Sequence, residues 1–268
     1  HVACLQAPDM YRGAFADDID AAEKYAADAD RALADLYKRG HKPAAFMVDT
    51  ALCSNGVQMA PKPYFSLVAR KVKRAGGVVI ADEVQAGLGR LGHMWGFMAQ
   101  GLDSVDMITM GKPVANGFPF GVVITSSVLL NRFSTEVDLF STFGGNPVAC
   151  AAGMALLDEI ERKDLITKSR ELGNYFRHRL KDLAKKHSLI GDVRGKGMMI
   201  GLEFVTDHEK KTPADQQTSR LIELMKAECV LVSEAGPKNV LKIRPNFSWE
   251  REHVDVFITK LDRCISKL

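Results

Sequence analysis

The chain is poor in aromatics and cysteine. Aromatic residues make up 7% of its 268 residues, and the five cysteines are Cys4, Cys53, Cys150, Cys229 and Cys264. Their odd number and wide spacing exclude a disulfide framework of the kind that staples small secreted domains. They are expected to be buried, reduced thiols. No apolar run approaches the ~20 residues that cross a bilayer. Neither sign of charge dominates: 36 Lys and Arg against 33 Asp and Glu leave a net charge of +3, with the basic residues dispersed. A nucleic-acid surface and a membrane anchor are therefore not expected. The seven histidines form no ligand spacing, so no metal site is expected. His178 and His187 fall in a charged helical stretch and are expected in solvent. No secretory leader pattern stands at His1, and a cytoplasmic location is the expectation.

What the chain has is ordinary in bulk and specific in detail. Hydrophobic residues make up 46% and charged residues 26%, enough for one large or two modest packed units. Short apolar runs alternate with helical patterns. Residues 19–39 read as an amphipathic helix closed by Gly40, and 64–75 as a second ended by Gly76-Gly77. Strands are predicted at 44–48, 77–82, 105–110 and 121–125. This alternation predicts an α/β fold with a mostly parallel sheet covered by helices. Asn146-Pro147 caps a helix running to about 161, and a charged helix covers 165–186 with Leu172, Phe176, Leu180 and Leu183 inward. Beyond Gly191 the pattern changes to strands at 198–205, 230–233 and 240–244 and helices at 213–228 and 252–265. The expected division is residues 1–160 as part of a large unit and 161–268 as a small α+β unit.

Two strands of the first unit end on ionisable residues. Gly77-Val78-Val79-Ile80-Ala81 closes on Asp82, and the run to Met110 closes on Gly111-Lys112-Pro113, 30 residues later. In open α/β sheets, ligands bind beyond the carboxyl ends of the strands. An acid and an amine at one such crevice suit pyridoxal phosphate, which needs a carboxylate facing its pyridine nitrogen and a lysine within Schiff-base reach of its aldehyde. Read alone, Asp82 is equally a turn cap and Lys112 a solvated lysine in a Gly-Pro turn.

Three ordered motifs within 66 residues carry a resemblance: Asp82-Glu83-Val84-Gln85-Ala86-Gly87-Leu88-Gly89-Arg90, Met110-Gly111-Lys112-Pro113 and Ser141-Thr142-Phe143-Gly144-Gly145-Asn146-Pro147. Together with Gly191-Asp192-Val193-Arg194-Gly195-Lys196-Gly197 they resemble the class-III pyridoxal-phosphate-dependent aminotransferases over nearly the whole chain. The resemblance implies pyridoxal 5'-phosphate as cofactor and Lys112 as the Schiff-base residue. It implies Asp82 on the ring nitrogen, Val84 on the ring face, Gln85 near the phenolic oxygen, and Thr142 on the phosphate of a neighbouring subunit in a homodimer. Glu83 is expected to make a structural hydrogen bond.

Two departures stand out. Residues 1–81 contain no Gly-rich phosphate cup, Ser54-Asn55-Gly56 being the nearest to one, so the chain is expected to be the C-terminal portion of a longer polypeptide. The family's carboxylate-binding arginine falls at Lys242, on the same strand face as Arg244, and either cation is a candidate for an anionic substrate group. Val2-Ala3, Tyr11-Arg12-Gly13, Gln58-Met59-Ala60-Pro61 and Trp95-Gly96-Phe97 resemble most the branch containing phospho-lyases of ethanolamine phosphate and phosphohydroxylysine and alanine–glyoxylate-type enzymes. The implied activities are transamination between an amine or amino acid and a keto acid, phosphate elimination from a phosphorylated amine, or a catalytically silent dimerisation or interaction domain.

Overall fold

Apolar runs and helix caps distribute the chain over two sheets, described for residues 1–268 in a computed structural model. The first part contains α1 (Ala21–Lys38), β1 (Ala45–Asp49), α2 (Tyr64–Arg74), β2 (Val78–Asp82), α3 (Gly96–Ala99), β3 (Met107–Met110), β4 (Val122–Thr125), α4 (Ser127–Glu136) and α5 (Pro147–Arg162). Strands β1, β2 and β3 are parallel neighbours and β4 joins β3 antiparallel, in the order β1-β2-β3-β4. This is the α/β fold with a mostly parallel sheet that the alternation predicts. Helix α1 turns Tyr25 and its alanines inward, and α2 turns Tyr64, Phe65, Val68 and Val72 onto Val79 and Ala81. The Tyr25 hydroxyl donates to the Asp9 carbonyl (2.8 Å), which ties the first residues of the chain to α1.

The second part contains α6 (Leu165–Ala184), β5 (Ile190–Lys196), β6 (Met199–Asp207), β7 (Thr212–Pro213), α7 (Asp215–Ala227), β8 (Ser233–Glu234), β9 (Val240–Ile243) and α8 (Arg251–Ile265). Its sheet is antiparallel throughout, in the order β5-β6-β9-β8 with β7 on β6. Leu172, Phe176, Leu180 and Leu183 of α6 pack with Phe257 and Leu261 of α8 over Ile200, Leu202 and Phe204. Each such burial stabilises by roughly 1.5–3 kcal/mol.

Several expectations need correction. The strand expected at 230–233 is only Ser233–Glu234, because Val230 still donates to the Met225 carbonyl as α7 unwinds through left-handed Cys229. Cys53 and Cys264 are buried, but Cys4, Cys150 and Cys229 are exposed: Cys150 lies on the outer side of α5, and Cys229 sits at the turn after α7. His187 is not solvated. Its side chain is 15% exposed and its Nε2 is 2.5 Å from Asp262 Oδ1. Ser54-Asn55-Gly56 is not an anion loop: the Gly56 carbonyl accepts from Arg194 Nε (2.9 Å), and Ser54 packs against Gly236 in the turn before β9.

Candidate active site

Asp82 ends β2 directly opposite Thr109 of β3, and the Glu83 amide donates to the Thr109 carbonyl (2.9 Å). The two strand ends are thus adjacent, and β3 reaches Lys112 three residues later. One Asp82 oxygen accepts from the Val84 amide (3.0 Å), so the carboxylate closes its own turn; its other oxygen has no donor within the chain. Lys112 is exposed and left-handed (φ 41°) at the start of a short helical turn closed by Asn116. Gly111 shows how near the two segments lie. A Cβ added there would meet the Val84 methyl groups at 3.7 and 4.0 Å, so Val84 stands beside the residue before Lys112.

Glu83 points the other way. It is 1% exposed and accepts from the amides of Gly96 (2.6 Å) and Phe97 (2.9 Å) and from the Thr50 hydroxyl (3.4 Å). These bonds fix the loop after β2 to the start of α3, the structural hydrogen bonding expected of it. Burial raises its pKa, against the pull of the amides.

Two arginines join the second sheet to this place, Arg244 from beyond β9 and Arg90 from the loop after β2. Arg244, just beyond β9, donates to Gln85 Oε1 (2.6 Å). Lys242 is half-buried on β9, and with Arg244, Ser233, Trp249 and Phe257 it lines a hollow of about 290 Å³. Ile243 between them lines the same hollow, and Arg244 lies one residue beyond the end of β9. Arg90 was not singled out from the sequence. It donates to the carbonyls of Pro245 (2.5 Å) and Met198 (3.3 Å) and lies 4.5 Å over the Phe247 ring. Burial and the neighbouring Arg244 charge lower its pKa to about 10. Its targets are carbonyls more than 100 residues away, which no local pattern announces. Gln85, Arg90, Pro113, Asn116 and Phe247 line a wider hollow of about 720 Å³.

The structure therefore gathers Asp82, Val84, Gln85, Lys112 and Arg244, with Lys242 beside Arg244. Thr142 is apart from them. It is exposed in the loop before α5, where Ser141 Oγ accepts from the Gly144 amide (3.0 Å) and Asn146 caps the helix through the Ala149 amide (3.0 Å).

A largely parallel sheet ending on a carboxylate and leading to a lysine, next to an antiparallel second sheet, is the α/β fold of pyridoxal-phosphate transferases. The chain belongs to the class-III aminotransferases, whose family model matches residues 2–265. It is 38% identical over 264 residues to alanine–glyoxylate aminotransferase 2 homolog 2, mitochondrial, of Arabidopsis thaliana, covering 97% of this chain and 54% of that protein. It is 34% identical over 287 residues to ethanolamine-phosphate phospho-lyase homolog 1 of Caenorhabditis elegans, covering 99% and 60%. A phospholyase from Arthrobacter, solved in complex with phosphoethanolamine, superposes with a TM-score of 0.95 at 39% identity over all of this chain and 64% of that one. An amine transaminase from an uncultivated Pseudomonas species, solved in its pyridoxal-phosphate-bound form, superposes at 0.87 with 27% identity, covering 98% and 61%. The chain spans roughly half to two thirds of the length of these proteins.

Proposed function

We propose that the whole protein transfers an amino group between an amine or amino acid and a keto acid, using pyridoxal 5'-phosphate held by Asp82, Val84, Gln85 and Lys112. The observation that carries this reading is the register of β2 and β3, which sets Asp82 and the Lys112 turn at adjacent strand ends. The free Asp82 oxygen, the apolar Val84 side chain and the unpaired Lys112 amine fit a pyridinium nitrogen, a ring face and an aldehyde respectively. The bound cofactor acts as an electron sink for charge on the substrate carbon. Asp82 keeps the ring nitrogen protonated by supplying the opposite charge. Val84 excludes water from the ring face. Lys112 would hold the cofactor aldehyde, and its amine, freed when substrate binds, would move the proton at the substrate carbon. Gln85 carries the Arg244 guanidinium, so substrate-anion binding and ring contact are linked through one hydrogen bond.

Thr142, by its likeness to the family's phosphate-binding threonine, serves the site of a second copy. Exposed Leu139, Phe140, Phe143 and Val148 around it supply an apolar face for a homodimer. The division at 160/161, between α5 and α6, belongs to the same reading.

Phosphate elimination is the second reading. Lys242 and Arg244 together offer two positive charges rather than one bidentate fork, which suits a dianionic phosphate group better than a single carboxylate. The test is incubation of the complete protein with ethanolamine phosphate, and separately with amino acids. Keto acid and the pyridoxamine form of the cofactor without free phosphate support transamination; acetaldehyde and phosphate without amino acceptor support the lyase. In both, Lys112→Ala is expected to abolish the borohydride-reducible absorbance and to lower turnover by about 1000-fold or more. An imine retained in that variant would sink the assignment of Lys112.

A further inference from the structure

Five basic side chains from separate stretches of the chain meet on another part of the molecule. Lys62 precedes α2, His93 lies in the loop before α3, Arg170 and Arg177 lie on α6, and Lys196 ends β5. Close backbone approaches bring these stretches together. A Cβ at Gly197 would stand 2.3 Å from the Arg90 carbonyl oxygen, one at Gly173 would stand 1.9 Å from the Gly197 carbonyl oxygen, and one at Gly101 would meet the Lys62 stem at 3.4 Å.

Three of the four Lys and Arg side chains meet only neutral acceptors, and Lys62 meets none. Lys196 Nζ donates to the Ala99 carbonyl (2.5 Å) and Gln100 Oε1 (3.2 Å). Arg177 donates to the Gly197 carbonyl (3.3 Å) and Asn174 Oδ1 (2.5 Å). Arg170 donates to the Gly92 carbonyl (3.5 Å) and the Thr167 hydroxyl (3.1 Å). None of the five is paired with a carboxylate, although the chain forms carboxylate ion pairs elsewhere, from Arg12–Glu203 to Lys267–Glu228. Two of the five respond to their neighbours' charge. Burial, then the charges of Lys62 and Arg177, lower the Lys196 pKa; burial, then Arg170, Lys196 and Lys62, lower that of His93. Lys196 and Arg177 are half-buried, whereas Lys62, His93 and Arg170 are exposed, which makes a recessed floor with a rim.

We propose that this recess is a binding site for a small polyvalent oxyanion of the phosphate class. Gathered like charges without counter-charge are unfavourable in a chain whose net charge is only +3. A monovalent carboxylate would neutralise a quarter of the fixed charge on Lys62, Arg170, Arg177 and Lys196, whereas a phosphate dianion neutralises half. Half-buried Lys196 and Arg177 are within reach of a compact anion but not of an extended polyanion or a lipid surface. The recess is separate from the Lys112 site and does not depend on the function proposed for it.

The experiment uses the complete, cofactor-loaded protein, so that the cofactor's own phosphate position is filled. The His93 imidazole is titrated by NMR with and without inorganic phosphate, at ionic strength held constant with chloride. Phosphate is expected to raise the His93 midpoint by roughly one pH unit, and Arg177→Gln/Lys196→Gln is expected to abolish that rise. Lys62→Gln changes an exposed side chain and should reduce the rise even if the double variant fails to fold. A His93 midpoint indifferent to phosphate, or a rise undiminished in Lys62→Gln, overturns the proposal. A midpoint already at the ordinary imidazole value without phosphate would mean that carboxylates from elsewhere in the complete protein cover the recess, and overturns it equally.

Discussion

Asp82 and Glu83 are neighbours with opposite assignments, and their surroundings explain the difference. Asp82 ends its strand with one oxygen free, whereas Glu83 is buried and saturated with amide donors. Glu83→Ala leaves the Gly96 and Phe97 amides without their acceptor and is expected to destabilise by about 2 kcal/mol or more, read as a lower urea midpoint. Glu83→Gln isolates the charge. Because burial raises the Glu83 pKa above its ordinary 4.5, the native state holds the proton to higher pH than the unfolded chain does. Its contribution is therefore full below about pH 4.5 and is lost as pH rises through the folded midpoint. The stability difference between wild type and Glu83→Gln should fall over that interval; a difference constant with pH would contradict the assignment. The adjacency of the β2 and β3 ends, which carry Asp82 and lead to Lys112, was legible because both strands are apolar runs. Arg90 and Arg12 were not, because a cation bound to a distant carbonyl or carboxylate leaves no spacing signature.

At the level of elements, α6 and the turn between β5 and β6 touch through glycines. Gly173 sits mid-helix, where alanine ordinarily gains about 1 kcal/mol. Here an added Cβ would lie 1.9 Å from the Gly197 carbonyl oxygen, and backbone must move. The clash outweighs the propensity, so Gly173→Ala is expected to lower stability by at least about 2 kcal/mol, with thermal or urea unfolding as the measurement. A stabilised variant would mean that the helix and turn are not in contact. Helices α1, α2, α5, α6, α7 and α8 and strands β1–β4 were legible because caps and periodicity agreed with burial. Four elements were not anticipated: the short α3 and β7, and with them α4 and β5. Helix α4 buries no residue, so its apolar positions Val128, Leu130 and Phe133 follow no inward stripe. Strand β5 carries Gly191 and Gly195 among charges and gains strand character only from pairing with β6.

Across the whole molecule, apolar surface is concentrated on one stretch. Leu139, Phe140 and Phe143 are 79%, 87% and 80% exposed, and Val123, Val128 and Val148 are exposed as well. Monomeric proteins rarely leave such a patch in water. On the homodimer proposed above, Phe140→Asp/Phe143→Asp in the complete protein is expected to shift its mass by light scattering from dimer to monomer and, with Thr142 removed from the partner site, to weaken cofactor retention. A dimer unchanged by both substitutions would remove this face from consideration.

The same scale contains one coupling between distant parts of the sequence. Glu203, fully buried on β6, is met by Arg12 (2.6 Å) from the first residues, by Arg194 (2.6 Å) from β5 and by Asn239 (3.1 Å) before β9, and Arg194 also reaches the Gly56 carbonyl. Stranding one member of such a group inside a protein costs about 3–5 kcal/mol. Positions 194 and 203 are therefore not free to drift independently over evolutionary time. Loss of Arg12 alone leaves Arg194 and Asn239 on the acid, whereas loss of Glu203 or Arg194 carries most of the penalty, so the acid and its inner cation change together or not at all.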